Sequence, residues 1–137
     1  MSETETRDLV ENYLAAFNAG DHEGMLALLA DDVVHDVSQG GREIGKEKFR
    51  WFLGLMSRHY RETLSDIAIM TAPGGVRAAA EFTMRGTYLT TVEGLPEASG
   101  QSYALPGGIF FEVDDGLISR VTAYYNLDEW KRQIAKG

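Results

Sequence analysis

The opening part of the chain repeats in steps of three and four. Leu9, Val10, Tyr13, Leu14 and Phe17 recur at helical spacing and make one apolar face. Ser2 and Glu5 stand at the spacing of a capping box, which predicts a helix starting near Glu3. Gly20 suits its end, because a residue without Cβ tolerates the left-handed cap conformation. Asp21 is a candidate N-cap for a second, shorter helix carrying Met25, Leu26, Leu28 and Leu29. Asp31-Asp32 breaks that run, and the β-branched stretch from Val33 to Val37 predicts a short strand. Gly40-Gly41 marks a turn. Phe49, Phe52, Leu53 and Met56 then predict a third helix from about Lys46 to His59.

After that helix the period drops to two. Leu64 to Thr71 reads as a strand, and Ala72-Pro-Gly-Gly75 as a hairpin turn. Val76 to Thr90 is a long strand, with Ala78, Ala80, Phe82, Met84 and Tyr88 on one face and Glu81, Thr83, Arg85 and Thr87 on the other. Thr91 to Gly100 is a turn-rich loop, a plain surface segment or a lid. Gln101 to Val113 reads as a strand interrupted at Pro106-Gly107-Gly108, where proline cannot donate to a ladder and a bulge is expected. Asp114-Asp115-Gly116 is a tight turn and Leu117 to Tyr125 the last strand. Asn126 or Asp128 caps a final helix with Leu127, Trp130 and Ile134 on its apolar side. Helices segregated from a run of strands give an α+β fold. The long strands must curve, so the expectation is a cone: a curved antiparallel sheet wrapped by three to four helices around an interior pocket.

Composition narrows the classes. At 137 residues, with 44% hydrophobic and 25% charged positions, residues 1–137 form one globular domain. No apolar run approaches a membrane span. The start, Met-Ser-Glu-Thr-Glu-Thr, has no signal-peptide character, and cysteine is absent, so the cytoplasm is the expected location. The net charge of −8 argues against nucleic acid and anionic membranes as partners. The densest basic segment, Arg42 to Arg61, is interleaved with Glu43 and Glu47, followed by Glu62, and reads as a solvated helix face. His22, His35 and His59 fall on separate elements, so no metal is expected. The paired glycines sit at turns and bends rather than in a phosphate loop, so no cofactor is expected either.

The candidate chemistry lies in His35-Asp36, an acid–base pair between valines. A histidine near neutrality can take and return a proton. An aspartate in an apolar pocket becomes a stronger base as desolvation raises its pKa. Strand alternation allows only one of the two to face inward. The competing reading is a hydrogen-bonded wall residue and a solvated carboxylate. Tyr13, on the core face of the first helix, is either packing or a phenol aimed at a developing oxyanion. Candidate ligand-binding residues are Phe17, Phe52, Met56, Tyr88, Tyr103, Ile109 and Tyr125.

Four stretches carry a family resemblance: Tyr13-Leu-Ala-Ala-Phe-Asn-Ala-Gly-Asp21, Leu28-Leu-Ala-Asp-Asp-Val33, Gly41-Arg-Glu-Ile-Gly-Lys46, and Asp115-Gly-Leu-Ile118 through Tyr124-Tyr-Asn126. On these the chain resembles the NTF2-like superfamily, on its SnoaL-like and ketosteroid isomerase-related branch. The resemblance implies the cone fold and a homodimer. It matches Tyr13 to the oxyanion tyrosine of the isomerases. An ungapped match puts Val37 at the position of their base, and a one-residue gap puts Asp36 there. Where they carry a protonated aspartate, this chain has Gly108 and Ile109 nearest. The implied activity is cofactor-independent proton transfer, of isomerase, cyclase or hydratase/hydrolase type, on a small apolar carbonyl compound. The alternative is a non-catalytic binder of a small hydrophobic metabolite.

Overall fold

The computed structural model describes residues 1–135. Helix α1 spans Glu3–Ala19 and begins with the reciprocal capping box, the Glu5 amide donating to Ser2 Oγ and the Ser2 amide to Glu5 Oε1, both at 3.0 Å. Gly20 ends it at φ 70°, in the left-handed region. Helix α2 spans only His22–Leu26. The apolar pattern had carried it through Leu29, but strand β1 begins there and runs Leu29–Asp36. The reason is tertiary: the Ile118 amide donates to the Leu28 carbonyl at 2.9 Å, which draws the chain into a sheet. A register shift between Leu29 and Val34 accommodates Asp31 and Asp32.

Strand β2 (Arg42–Ile44) leads through Gly45 into α3 (Lys46–His59), which packs Phe49 and Leu53 inward. Strand β3 (Tyr60–Thr71) follows with no intervening loop, four residues earlier than the pattern had placed it. Strands β4 (Arg77–Tyr88), β5 (Ser102–Asp114) and β6 (Leu117–Tyr125) and helix α4 (Leu127–Ile134) complete the chain. The six strands form one curved, unclosed sheet in the order β2-β1-β6-β5-β4-β3. The sheet is not wholly antiparallel, as β1 and β6 run parallel. A parallel pair needs a long crossover, and here the chain between the two strands supplies it.

The predicted alternation in β4 holds, with Ala78, Ala80, Phe82, Met84 and Tyr88 all buried. Strand β5, expected to break at Pro106, runs through it without interruption. Ladder pairing with β6 stops at Gly107↔Tyr125. Beyond that point α4 takes over, its Gln133 side chain bonding both the amide and the carbonyl of Ala104 at 2.8 Å. Pro106 presents its missing N–H on that same side, past the end of β6, and so loses no ladder bond.

Trp130 of α4 is 3% exposed and meets Tyr60, Tyr88 and Tyr103 edge to face. Tyr88 also anchors the loop that follows it. Its hydroxyl donates to the Pro96 carbonyl at 2.7 Å and accepts from the Val92 amide at 2.9 Å. Tyr88→Phe orphans both backbone groups and is expected to cost about 1–3 kcal/mol, read as a lower urea midpoint at constant m-value. No helix among the described residues is long and apolar enough to cross a membrane.

Candidate functional site

The end of β1 sends its two ionisable side chains to opposite faces. His35 pairs with Glu43 of β2 and Val121 of β6, and its ring turns inward with Val33. It is 4% exposed and held between two rings of α3: Phe49, tilted at 4.4 Å, and Phe52, edge-on at 4.6 Å. Its Nδ1 is buried and has no hydrogen-bond partner. Burial holds the imidazole pKa below its ordinary 6.5, while Glu43 and Asp36 pull weakly the other way. The ring is therefore neutral at neutral pH, with a nitrogen free to exchange a proton. Ser38 Oγ, three residues on, is also buried without a partner. Buried polar atoms are nearly always bonded, so each of these two keeps capacity for a further hydrogen bond.

Asp36 lies on the outer face. Arg42 grips it through Nε at 2.6 Å and Nη2 at 3.1 Å, and Thr122 Oγ1 donates to it at 2.6 Å. These bonds hold its pKa at about 2, below the ordinary 3.8. A carboxylate so committed is a poor proton acceptor at neutral pH. The depressed pKa means that the pair stabilises the fold above pH 3.8 and loses that contribution as pH falls toward 2. Asp36→Asn is therefore expected to cost about 1 kcal/mol at pH 7, a figure discounted for the pair's partial exposure. The difference from wild type should shrink in acid denaturation curves below pH 3.8.

A second feature lies at the other end of α3. A cavity of about 410 Å³ is lined by Phe17 of α1, Met25 of α2, Leu53 and Met56 of α3, and Tyr60 and Glu62 of β3. Glu62 pairs across the sheet with Gly86, and Gly86 with Tyr103, so the three form one row over β3, β4 and β5. Gly86 has no side chain, so the Tyr103 ring lies across it and its hydroxyl donates to Glu62 Oε2 at 2.5 Å. Burial raises the carboxyl pKa of Glu62, and the Tyr103 bond opposes that in part.

The other expected residues are distributed as follows. Tyr13 is 3% exposed, meets Phe111 edge-on at 5.5 Å, and has its phenol pKa pushed up by burial. Phe17 and Met56 meet around the cavity, and Phe52 meets His35. Ile109 is buried in β5 between Ala80 and Ala123. Tyr125 is half-buried, and burial followed by the Glu62 charge pushes its pKa up. Asn126 caps α4 by accepting from the Glu129 amide at 3.1 Å. Glu62 was not singled out from the sequence. Counting back by twos from Leu64 is the signal that would have turned it inward. Among the described residues, no group of three His, Cys, Asp or Glu side chains could hold a metal ion.

The chain is similar to known proteins over most of its length. A family model described as a SnoaL-like domain matches residues 10–121. A solved structure from Xanthomonas campestris pv. campestris, named as a candidate polyketide cyclase, is 52% identical. That match covers 97% of this chain and 99% of the other, with a TM-score of 0.95. A like-named protein from Pseudomonas putida is 53% identical over 98% of each chain, with a TM-score of 0.92. Another from a Silicibacter species is 54% identical over 94% of each, also with a TM-score of 0.92. Among curated proteins, none matches.

Proposed function

Because the chain belongs to the SnoaL-like domain family, we propose that it is a cofactor-independent acid–base enzyme of isomerase, cyclase or hydratase/hydrolase type. Its substrate is a small, largely apolar carbonyl compound. The observation that carries this reading is His35: a neutral imidazole, enclosed by Phe49 and Phe52, with an unpartnered Nδ1. Such a ring can lift a proton from carbon next to a carbonyl and return it elsewhere on the same substrate. Tyr13 is the phenol of the proposed site and Phe52 the wall that His35 and substrate share. The names of the relatives favour cyclisation of a polyketide-like chain over the other reaction types.

The test is a thermal-shift screen of aromatic polyketides, steroid enones, terpenoid epoxides and small keto acids. Turnover is then measured on whichever class raises the melting temperature. A ligand that binds only the native state must raise it. Stabilisation by one class with product formation supports the reading. If no class stabilises the protein, the reading is wrong.

One observation favours a non-catalytic binder instead, namely the commitment of Asp36 to Arg42, which leaves one proton carrier at this strand end rather than two. A product that appears with native but not with boiled protein excludes that alternative for the ligand concerned.

The same reading includes a homodimer. Met70, Phe110 and Tyr124 are 48%, 47% and 61% exposed on the sheet's outer face, and a second copy of that face would cover them. Light scattering at micromolar concentration should give twice the chain mass, and Phe110→Glu should return it to one.

A further inference from the structure

We propose that Glu62 is the recognition group of a binding subsite for a small, uncharged, ring-shaped compound carrying a hydroxyl group, phenolic or enolic. The ring would lie in the cavity beneath α3, with its O–H donated to the Glu62 carboxyl.

Three observations carry this. First, the carboxyl lines a cavity of about 410 Å³, room for a fused two-ring compound. Phe17, Met25, Leu53, Met56 and Tyr60 supply apolar walls, and Asn18, His22, Ser57, Arg61 and Thr63 add polar ones. Second, its hydrogen bonding is half finished. Tyr103 donates to Oε2, and no other hydrogen bond or ion pair reaches the group among the described residues. A carboxylate offers roughly four acceptor positions, so a half-buried one with a single donor has capacity for a ligand O–H. Third, the arrangement is built at some expense to the fold. A glycine in mid-strand weakens the strand, and Gly86 has its site because any Cβ there would strike the Tyr103 ring. The gap lets Tyr103 reach two strands across and hold Glu62 in place. Tyr103 is in turn fixed by Trp130, with ring centroids 5.8 Å apart.

The chemistry selects the ligand class. A hydrogen bond to a carboxyl oxygen strengthens where water is excluded, and strengthens further when that carboxyl is ionised. A ketone or ether of the same shape brings no donor and leaves the carboxylate unmet. An ionised ligand would lose its hydration against the apolar walls. A hydroxylated ring satisfies both the apolar walls and the open oxygen. His35 plays no part in this contact, so the subsite stands apart from the proposed acid–base role.

The experiment compares 2-naphthol with 2-methoxynaphthalene, which share a ring system and differ in the O–H. Binding is measured by fluorescence titration on wild type, Glu62→Gln, and the double variant Glu62→Met/Tyr103→Phe, in which no buried phenol is orphaned. Wild type should prefer 2-naphthol by about tenfold or more, the size expected for a hydrogen bond to a charged group. Glu62→Gln should retain part of that preference and the double variant none, with affinity for the methoxy compound changed less than about twofold. Equal binding of the two probes to wild type, no binding of 2-naphthol at all, or a preference that survives in the double variant overturns the proposal. Should the double variant fail to fold, Glu62→Gln alone decides: an unreduced preference overturns the assignment. Binding rather than turnover is read, so either outcome leaves the role of His35 to its own test.

Discussion

His35→Ala is expected to lower kcat/KM by about 10²–10⁴ on any substrate that the wild-type protein turns over, the range for loss of a general acid–base group. The fold should survive. Removing a ring held between Phe49 and Phe52 leaves a cavity costing about 2–4 kcal/mol, but it also removes a buried nitrogen that has no partner. A packing role alone would lower stability and leave kcat nearly intact, so the two are separable. The pH profile sharpens the distinction. Burial lowers the imidazole pKa, so kcat/KM should rise with pH along a limb that inflects below 6.5. Stability carries the same signature. A histidine kept neutral in the fold loses stabilisation as pH falls from 6.5 toward its folded value, because the unfolded chain then binds the proton more readily. His35→Ala should remove that component of the acid sensitivity. If activity is unchanged and only the melting temperature falls, His35 is architecture.

Gly86→Ala should cost about 2–4 kcal/mol and lower the melting temperature by about 10 °C, a large effect for one added methyl group. The new Cβ would lie 2.7 Å from Tyr103 Cε2, and closer still to Cζ and the hydroxyl. Tyr103 is 4% exposed and packs on Trp130, so its ring has little room to retreat. Displacing it also strips Glu62 of its donor. A double-mutant cycle isolates the cause. In a Tyr103→Ala background the clash is gone, and Gly86→Ala should become neutral or mildly stabilising, as alanine usually is over glycine in a strand. If the cost persists in that background, the collision with Tyr103 is not its origin.

How much of this was legible in the sequence depends on the range of the interactions involved. Helix α3 matches its expected span because the Phe49, Phe52, Leu53, Met56 spacing is local information. The cap of α1 and the alternation of β4 are local in the same way. Leu28 and Leu29 fit a helix or a strand equally well, and a bond from Ile118, far along the chain, decided between them. Pro106 looked like a break because the sequence does not show that β6 ends before reaching it. The sequence allows either His35 or Asp36 to face inward, and pairing with β2 and β6 turns His35 in. Glu62 reads in the sequence as the tail of a solvated helix, because it follows the basic residues Arg58, His59 and Arg61. Its partnership with Gly86 and Tyr103 rests on the register of three strands, which no single segment encodes.

The parallel pairing of β1 with β6 has a consequence for synthesis. Strand β1 is among the first segments made, yet its neighbour across the sheet is the last strand made. During translation the Leu29–Asp36 segment has β2 on one side and nothing on the other until Tyr125 has left the ribosome. Helices α1 and α3 can form in that interval, but the inward face at His35 cannot close. The sheet should therefore close only once β6 is available, in one late step dominated by closure of a long loop. Chaperone dependence should fall on the interval in which that half-paired strand is exposed.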